Sequence, residues 1–153
     1  MGTTSRAISG CAAGVVVVLA AAGCTASETP SLAALERPAT AQDTTPEGVS
    51  IGRGMSDTRY VGQAGDGLVY AARGTAEEPW CVVVVLAPVE GPGWVAGSSC
   101  TEDVRFARDG VLISVTGGDG RTATALLLPD DTGELDEGEW RRVEPNLAVP
   151  ADA

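Results

Sequence analysis

The chain predicts a small, mainly β domain: one antiparallel sheet or sandwich, α+β only in that a single short helix accompanies the strands. Two observations carry this. Trp80 to Ala87 reads WCVVVVLA, an unbroken apolar run rich in β-branched residues, the pattern of a strand covered on both faces. Two glycine-rich turns, Gly65-Asp66-Gly67 and Gly117-Gly118-Asp119-Gly120, each separate two short strand-like segments, and glycine supplies the positive φ that such hairpins require.

In chain order the first element is a targeting segment. MGTTSR carries one side-chain charge, Arg6, beside the amino terminus, and Ala7 to Cys24 (AISGCAAGVVVVLAAAGC) is apolar until its small-residue end. A cationic head, an apolar middle and small residues at the end describe a secretory signal. Its apolar run of roughly 12 to 16 residues falls short of the about 20 that a membrane span needs. Ala21-Ala22-Gly23-Cys24, with Leu19 nearby, resembles the lipobox of bacterial lipoproteins, with alanine where that family usually has a branched apolar residue. The resemblance implies transfer of a diacylglyceryl group to the Cys24 thiol and cleavage between Gly23 and Cys24. Two acyl chains, at about 0.8 kcal/mol per buried methylene, hold a protein stably on a membrane. The expected location is therefore the extracytoplasmic face of the cell membrane. An ordinary cleaved signal, giving a secreted protein without lipid, is the alternative. An N-myristoylation signal fails because Arg6 stands where Ser or Thr is needed, and there is no twin arginine.

The same resemblance fixes the cysteine arithmetic. Of four cysteines, Cys11 leaves with the signal and Cys24 is acylated, so Cys81 and Cys100 remain as a pair. Outside the cytosol such a pair most often forms a disulfide. Closing a loop of about 20 residues stabilises the fold by roughly 3 kcal/mol. A redox-active role is disfavoured, because the spacing is not C-x-x-C and no lysine or histidine stands near to lower a thiol pKa.

Residues 24–50, rich in Thr, Ser, Ala and Pro, read as a tether between lipid and domain, about 25 to 30 Å long on average if flexible. Within it Ser31 suits the cap of a short helical turn carrying Leu32 and Leu35 and ending before Pro38, which either docks or stays loose. The folded domain is expected over 51–153. Its strands are Thr58 to Val61, Leu68 to Ala72, the central Trp80 to Ala87, a segment from Trp94 through Ala96 to Cys100, Val111 to Thr116 and Arg121 to Leu128. Between the fourth and fifth, Thr101 offers a helix N-cap and Gly110 a stop, with Val104, Phe106 and Ala107 towards the core. Trp140 to Val143, with Leu147 and Val149, makes a last strand or a docked tail, for six or seven strands in all. The order TRYVG, VYAARG, W…C, F…DGV and LLPD is similar to that of small extracytoplasmic lipoproteins of GC-rich Gram-positive bacteria, which implies class and location and no activity.

Composition excludes more than it assigns. The chain has no histidine, which removes Ser-His-Asp and Cys-His catalysis and histidine metal sites, and all ten basic residues are arginine. Without lysine there is no P-loop, and the glycine clusters lack the strand-to-helix context of a dinucleotide site. Gly97-Ser98-Ser99-Cys100-Thr101 fails G-x-S-x-G at its last position. The net charge of −11 argues against nucleic acid as a partner and against adsorption to anionic lipid, leaving the lipid on Cys24 to supply membrane affinity. The acidic run DDTGELDEGE, from Asp130 to Glu139, lacks the ligand spacing of a calcium loop and reads as solvated, so no metal and no cofactor are expected. Asp66, Asp103, Asp109 and Asp119 sit beside turns or a helix start. No pair of them is recognisable as an acid and base across a cleft, and no catalytic residue is assigned. Trp80, Trp94 and Trp140 are the candidates for recognition, since exposed aromatics anchor interfaces. The expected function is a lipid-anchored binding or scaffolding module for an envelope protein or glycan. A small envelope enzyme using paired carboxylates is the alternative. A transporter's solute-binding component is disfavoured, since it needs two lobes.

Overall fold

A computed structural model describes residues 29–88 and 93–153. Eight strands follow in order: β1 (Ser56–Ala64), β2 (Gly67–Arg73), β3 (Trp80–Leu86), β4 (Val95–Thr101), β5 (Val111–Thr116), β6 (Thr122–Leu127), β7 (Trp140–Glu144) and β8 (Leu147–Pro150). Helix α1 (Ala33–Glu36) precedes them and α2 (Asp103–Asp109) lies between β4 and β5. They form two antiparallel four-stranded sheets, ordered β1-β2-β3-β4 and β5-β6-β8-β7. The sheets face each other as a sandwich, β5 lying over β3 and β4, and β6 over β2 and β3.

The valine-rich run is the centre of this arrangement. All seven residues of β3 are buried. Strand periodicity sends Trp80, Val82, Val84 and Leu86 into the core between the sheets, with Val69, Ile113, Val115 and Leu127. Cys81, Val83 and Val85 face the other way, where Val49, Ile51 and Met55 cover them. The expected double coverage of β3 is present, and the segment just before β1 supplies its outer half. Strand β5 alternates strictly, with Val111, Ile113 and Val115 buried and Leu112, Ser114 and Thr116 exposed.

Both hairpins form. Ala64 pairs with Gly67, so Gly65 and Asp66 make a two-residue turn with Gly65 at φ +56°. Arg121 ties the two hairpin ends together: its guanidinium donates to Asp119 (2.8 Å), to Asp66 (3.1 Å) and to the carbonyl of Ala87 (2.6 Å). Strand β6 alternates Thr122 and Thr124 with Ala123 and Ala125, and it is wet where it starts and buried by Leu126 and Leu127.

Three expectations need correction. The C-terminal stretch is two strands, because Pro145 and Asn146 turn the chain and β8 inserts between β6 and β7. Thr101 ends β4 instead of capping α2. Of the three residues assigned to that helix's core face only Phe106 is buried, while Val104 is 68% exposed. A helix of seven residues perched at the corner between sheets presents a single side chain to the interior. The described residues hold two α-helices and a 3-10 turn (Ala41–Asp43) where one helix was expected, and α1 is capped from afar: both carboxylate oxygens of Asp130 accept from the Ala33 N–H, at 3.0 and 2.9 Å. Of the two alternatives for the turn at Leu32 and Leu35, the docked one is formed, so packing begins upstream of Ile51. Leu32 is fully buried in the main core and Leu35 nearly so, which takes residues 31–43 out of the expected tether.

Candidate functional site

Gly23 and Cys24, the expected cleavage and lipidation positions, lie outside the described residues. Among the described residues the first buried one is Leu32, eight positions on from Cys24. Eight extended residues reach at most about 30 Å.

Cys81 and Cys100 form the expected disulfide. They are directly opposed on β3 and β4, with Cα atoms 4.1 Å apart, so the bond clips the edge strand to the central one. Cys81 is fully buried.

The three tryptophans have three different fates. Trp80 is 3% exposed and stacks on Phe106 with ring centroids 4.6 Å apart. The Arg73 guanidinium lies 4.4 Å from its ring, and its indole N–H donates to Asp103 at 2.7 Å. It is a core residue, and the recognition role expected for it is withdrawn. The signal was in the sequence: Trp80 opens the strand that is buried on both faces. Trp94 stands partly exposed just before β4. Trp140 opens β7 and lines a broad groove of about 890 Å³ with Glu134, Leu135, Glu137, Arg141 and Arg142.

That groove is the candidate site. Its floor exists because Leu135 and Trp140 pack on Leu126, Leu128 and Ala148 of the outer sheet face. Arg142 holds the acidic loop in place by donating to the carbonyls of Pro145 (2.7 Å), Gly133 (3.3 Å) and Thr132 (3.4 Å). Arg141 donates to the carbonyl of Ala153 at 3.1 Å. The loop's acids are partly structural too: Asp130 caps α1 and accepts from the Asn146 amide at 2.9 Å, and Asp136 accepts from the Gly138 N–H at 2.9 Å. Burial works to raise the Asp130 pKa, but hydrogen bonds from Ala33, Asn146 and Ser31 outweigh it and hold the carboxyl below its usual range. Among the described residues no group of three or more acids or cysteines is arranged to hold a metal ion. What the groove offers is one aromatic wall with carboxylates at the rim, which suits recognition.

The four acids considered for catalysis are each engaged in the fold. Asp66 and Asp119 accept from Arg121, Asp103 from Trp80, and Asp109 from Arg108. Arg121 keeps the Asp119 carboxyl below its usual range, and Arg108 does the same for Asp109.

A cluster that sequence reasoning missed lies at the outer edge of β1. Asp43 is 6% exposed and takes a two-pronged bond from the Arg37 guanidinium at 2.6 and 2.7 Å. It also accepts from the Thr40 N–H (2.6 Å) and the Tyr60 N–H (2.8 Å), while Arg37 donates to the Tyr60 carbonyl at 3.2 Å. The pair thus satisfies both backbone groups that β1 presents at Tyr60. The Arg37 hydrogen bond, opposed by burial, holds the Asp43 carboxyl far below the ordinary carboxylate range. Thr40-Ala41-Gln42-Asp43 was a readable hint, being a hydroxyl residue followed three positions on by an acid, the pattern of a capped helical turn.

Compared with protein-family models, with curated proteins and with solved structures, the chain matches none. No helix among the described residues is long and apolar enough to cross a membrane.

Proposed function

We propose that the chain is a lipoprotein, anchored by acyl chains on Cys24 at the extracytoplasmic membrane face, and that its β-sandwich is a binding or scaffolding module of the cell envelope. The observation that carries this reading is Ala21-Ala22-Gly23-Cys24 placed directly behind a short apolar run with Arg6 at its head. The Cys81–Cys100 disulfide supports it, since such bonds persist where the surroundings are oxidising. The short reach from Cys24 to Leu32 would keep the sandwich against the bilayer, closer than a tether through residue 50 would place it. The Trp140 groove is the face offered to a partner, a protein or glycan of the envelope, because aromatic walls supply contact area at low entropic cost.

A Cys24→Ser variant tests the anchor. The wild-type chain is expected in the membrane fraction, and the variant in the soluble extracytoplasmic fraction or held as uncleaved precursor. A wild-type chain that fractionates as soluble, or a variant that stays membrane-bound after cleavage, contradicts the reading.

A further inference from the structure

Strand edges invite pairing with other chains, and folded proteins usually blunt them. The edge of β1 is blunted by Arg37 and Asp43, which occupy its backbone groups at Tyr60. The edge strand β7 carries Arg141, Arg142 and Glu144. Strand β5, an edge of the second sheet, packs on β3 and β4. Strand β4 itself has none of these protections.

From Trp94 to Thr101 the sequence is WVAGSSCT, eight residues without a charge or a proline in a chain of net charge −11. Only Thr101 of β4 is buried, and Trp94 and Val95 are 36% and 38% exposed. The strand pairs with β3 along its whole length, and among the described residues no other backbone bonds to it. Its register shows which peptide groups are free. The 4.1 Å Cα spacing of Cys81 and Cys100 is the short spacing of a non-hydrogen-bonded pair, so the N–H and C=O of Cys100 point away from β3. By the two-residue period those of Ser98 and Ala96 do the same.

We propose that β4 pairs with β4 of a second copy, antiparallel about a two-fold axis, continuing the four-stranded sheet into one of eight. Charge selects this occupant. A neutral strip gives an oppositely charged peptide nothing to grip, whereas an identical strip meets it without repulsion. Antiparallel pairing also sets Trp94 of one copy towards the Cys100 end of the other, which keeps the two copies of Glu102 and Asp103 at opposite ends of the interface. Ala96, Gly97, Ser98 and Ser99 are small enough for the strands to approach along their full length. A closed two-fold pair consumes both free edges, so association stops at two.

The test compares the purified full chain with Ser98→Pro across a concentration series by sedimentation equilibrium. Proline removes the outward N–H of residue 98 and leaves the bonds to β3 untouched. The wild-type chain is expected at twice the monomer mass at high concentration and the variant at the monomer mass throughout. A second variant, Ser98→Lys, sets like charges across the axis and is expected to give the same halving, which covers the case in which the proline variant does not fold. Amide exchange gives a direct readout: the Ala96, Ser98 and Cys100 amides are expected to slow as wild-type concentration rises. A monomeric wild-type chain overturns the proposal, as does a folded Ser98→Lys variant that remains dimeric, or a dimer whose formation leaves those three amides unchanged.

Discussion

Asp43 is the residue on which the N-terminal part of the fold depends most. It is buried, ionised and fully engaged by Arg37, Thr40 and Tyr60, so an asparagine in its place strands the Arg37 guanidinium and leaves one acceptor oxygen where two serve the Thr40 and Tyr60 N–H groups. Arg37 keeps about a third of its side chain in water, which softens the loss. Asp43→Asn is therefore expected to cost about 2 to 3 kcal/mol in chemical denaturation, below the full penalty of breaking a wholly buried pair. Acid reports on the same group. Its folded carboxyl binds a proton less readily than the unfolded one, so its contribution is present above the unfolded carboxylate pKa near 4 and is lost as pH falls from there towards the lower folded value. Asp130 titrates with the same sign. Thermal melts from neutral pH to pH 3 are expected to show a steep loss in the wild type and a shallower one in Asp43→Asn. Equal slopes would remove Asp43 from the account. Only the Thr40 cap of Asp43 left a local trace; its bond to Tyr60 spans 17 positions and that of Asp130 to Ala33 spans 97, which one dimension does not show.

At the scale of elements, the strands were the legible part. The unbroken run in β3 and glycine in both turns are local signals, and each produced the expected strand or hairpin. The helices were less legible, because so short a helix is held by tertiary contacts and not by its own propensity. The face of α2 was misjudged for Val104 and Ala107, while its stop was read correctly. Gly110 ends α2 at φ +69°, and a Cβ there would run into the carbonyl oxygen of Leu127. Gly110→Ala is expected to destabilise the protein by more than about 1 kcal/mol, since both the backbone conformation and the space forbid a side chain. A denaturation midpoint within error of the wild type would show that the corner between the sheets yields more readily than its packing implies. The C-terminal hairpin was half visible: its apolar residues were recognised, but the turn at Pro145-Asn146 that makes two strands of them was not.

Across the whole molecule, one disulfide and one continuous inter-sheet core do most of the stabilising. Cys81 and Cys100 are 19 residues apart, and removing the bond is expected to cost about 3 kcal/mol by the chain-entropy estimate. A Cys81→Ala, Cys100→Ala double variant measures this by denaturation, and an unchanged midpoint would mean that β3 and β4 stay paired unaided. The candidate groove was legible only in part. The sequence singled out Trp140, but the wall that faces it is built by the acidic loop, whose path is set by Arg142 and three backbone carbonyls. On the proposed anchoring at Cys24, the face turned to the membrane is set by where the chain enters the fold. Leu32 and α1 dock beside Asp130 and Asn146, the end of the sandwich that such an anchor would hold closest. The account as a whole rests on Cys24. Intact mass spectrometry of the protein extracted from its native membrane tests it most directly. The account predicts a chain that begins at Cys24 and carries the added mass of its acyl groups, with no free thiol at Cys81 or Cys100. A chain that retains residues 1–23, begins elsewhere or lacks acyl mass would contradict it.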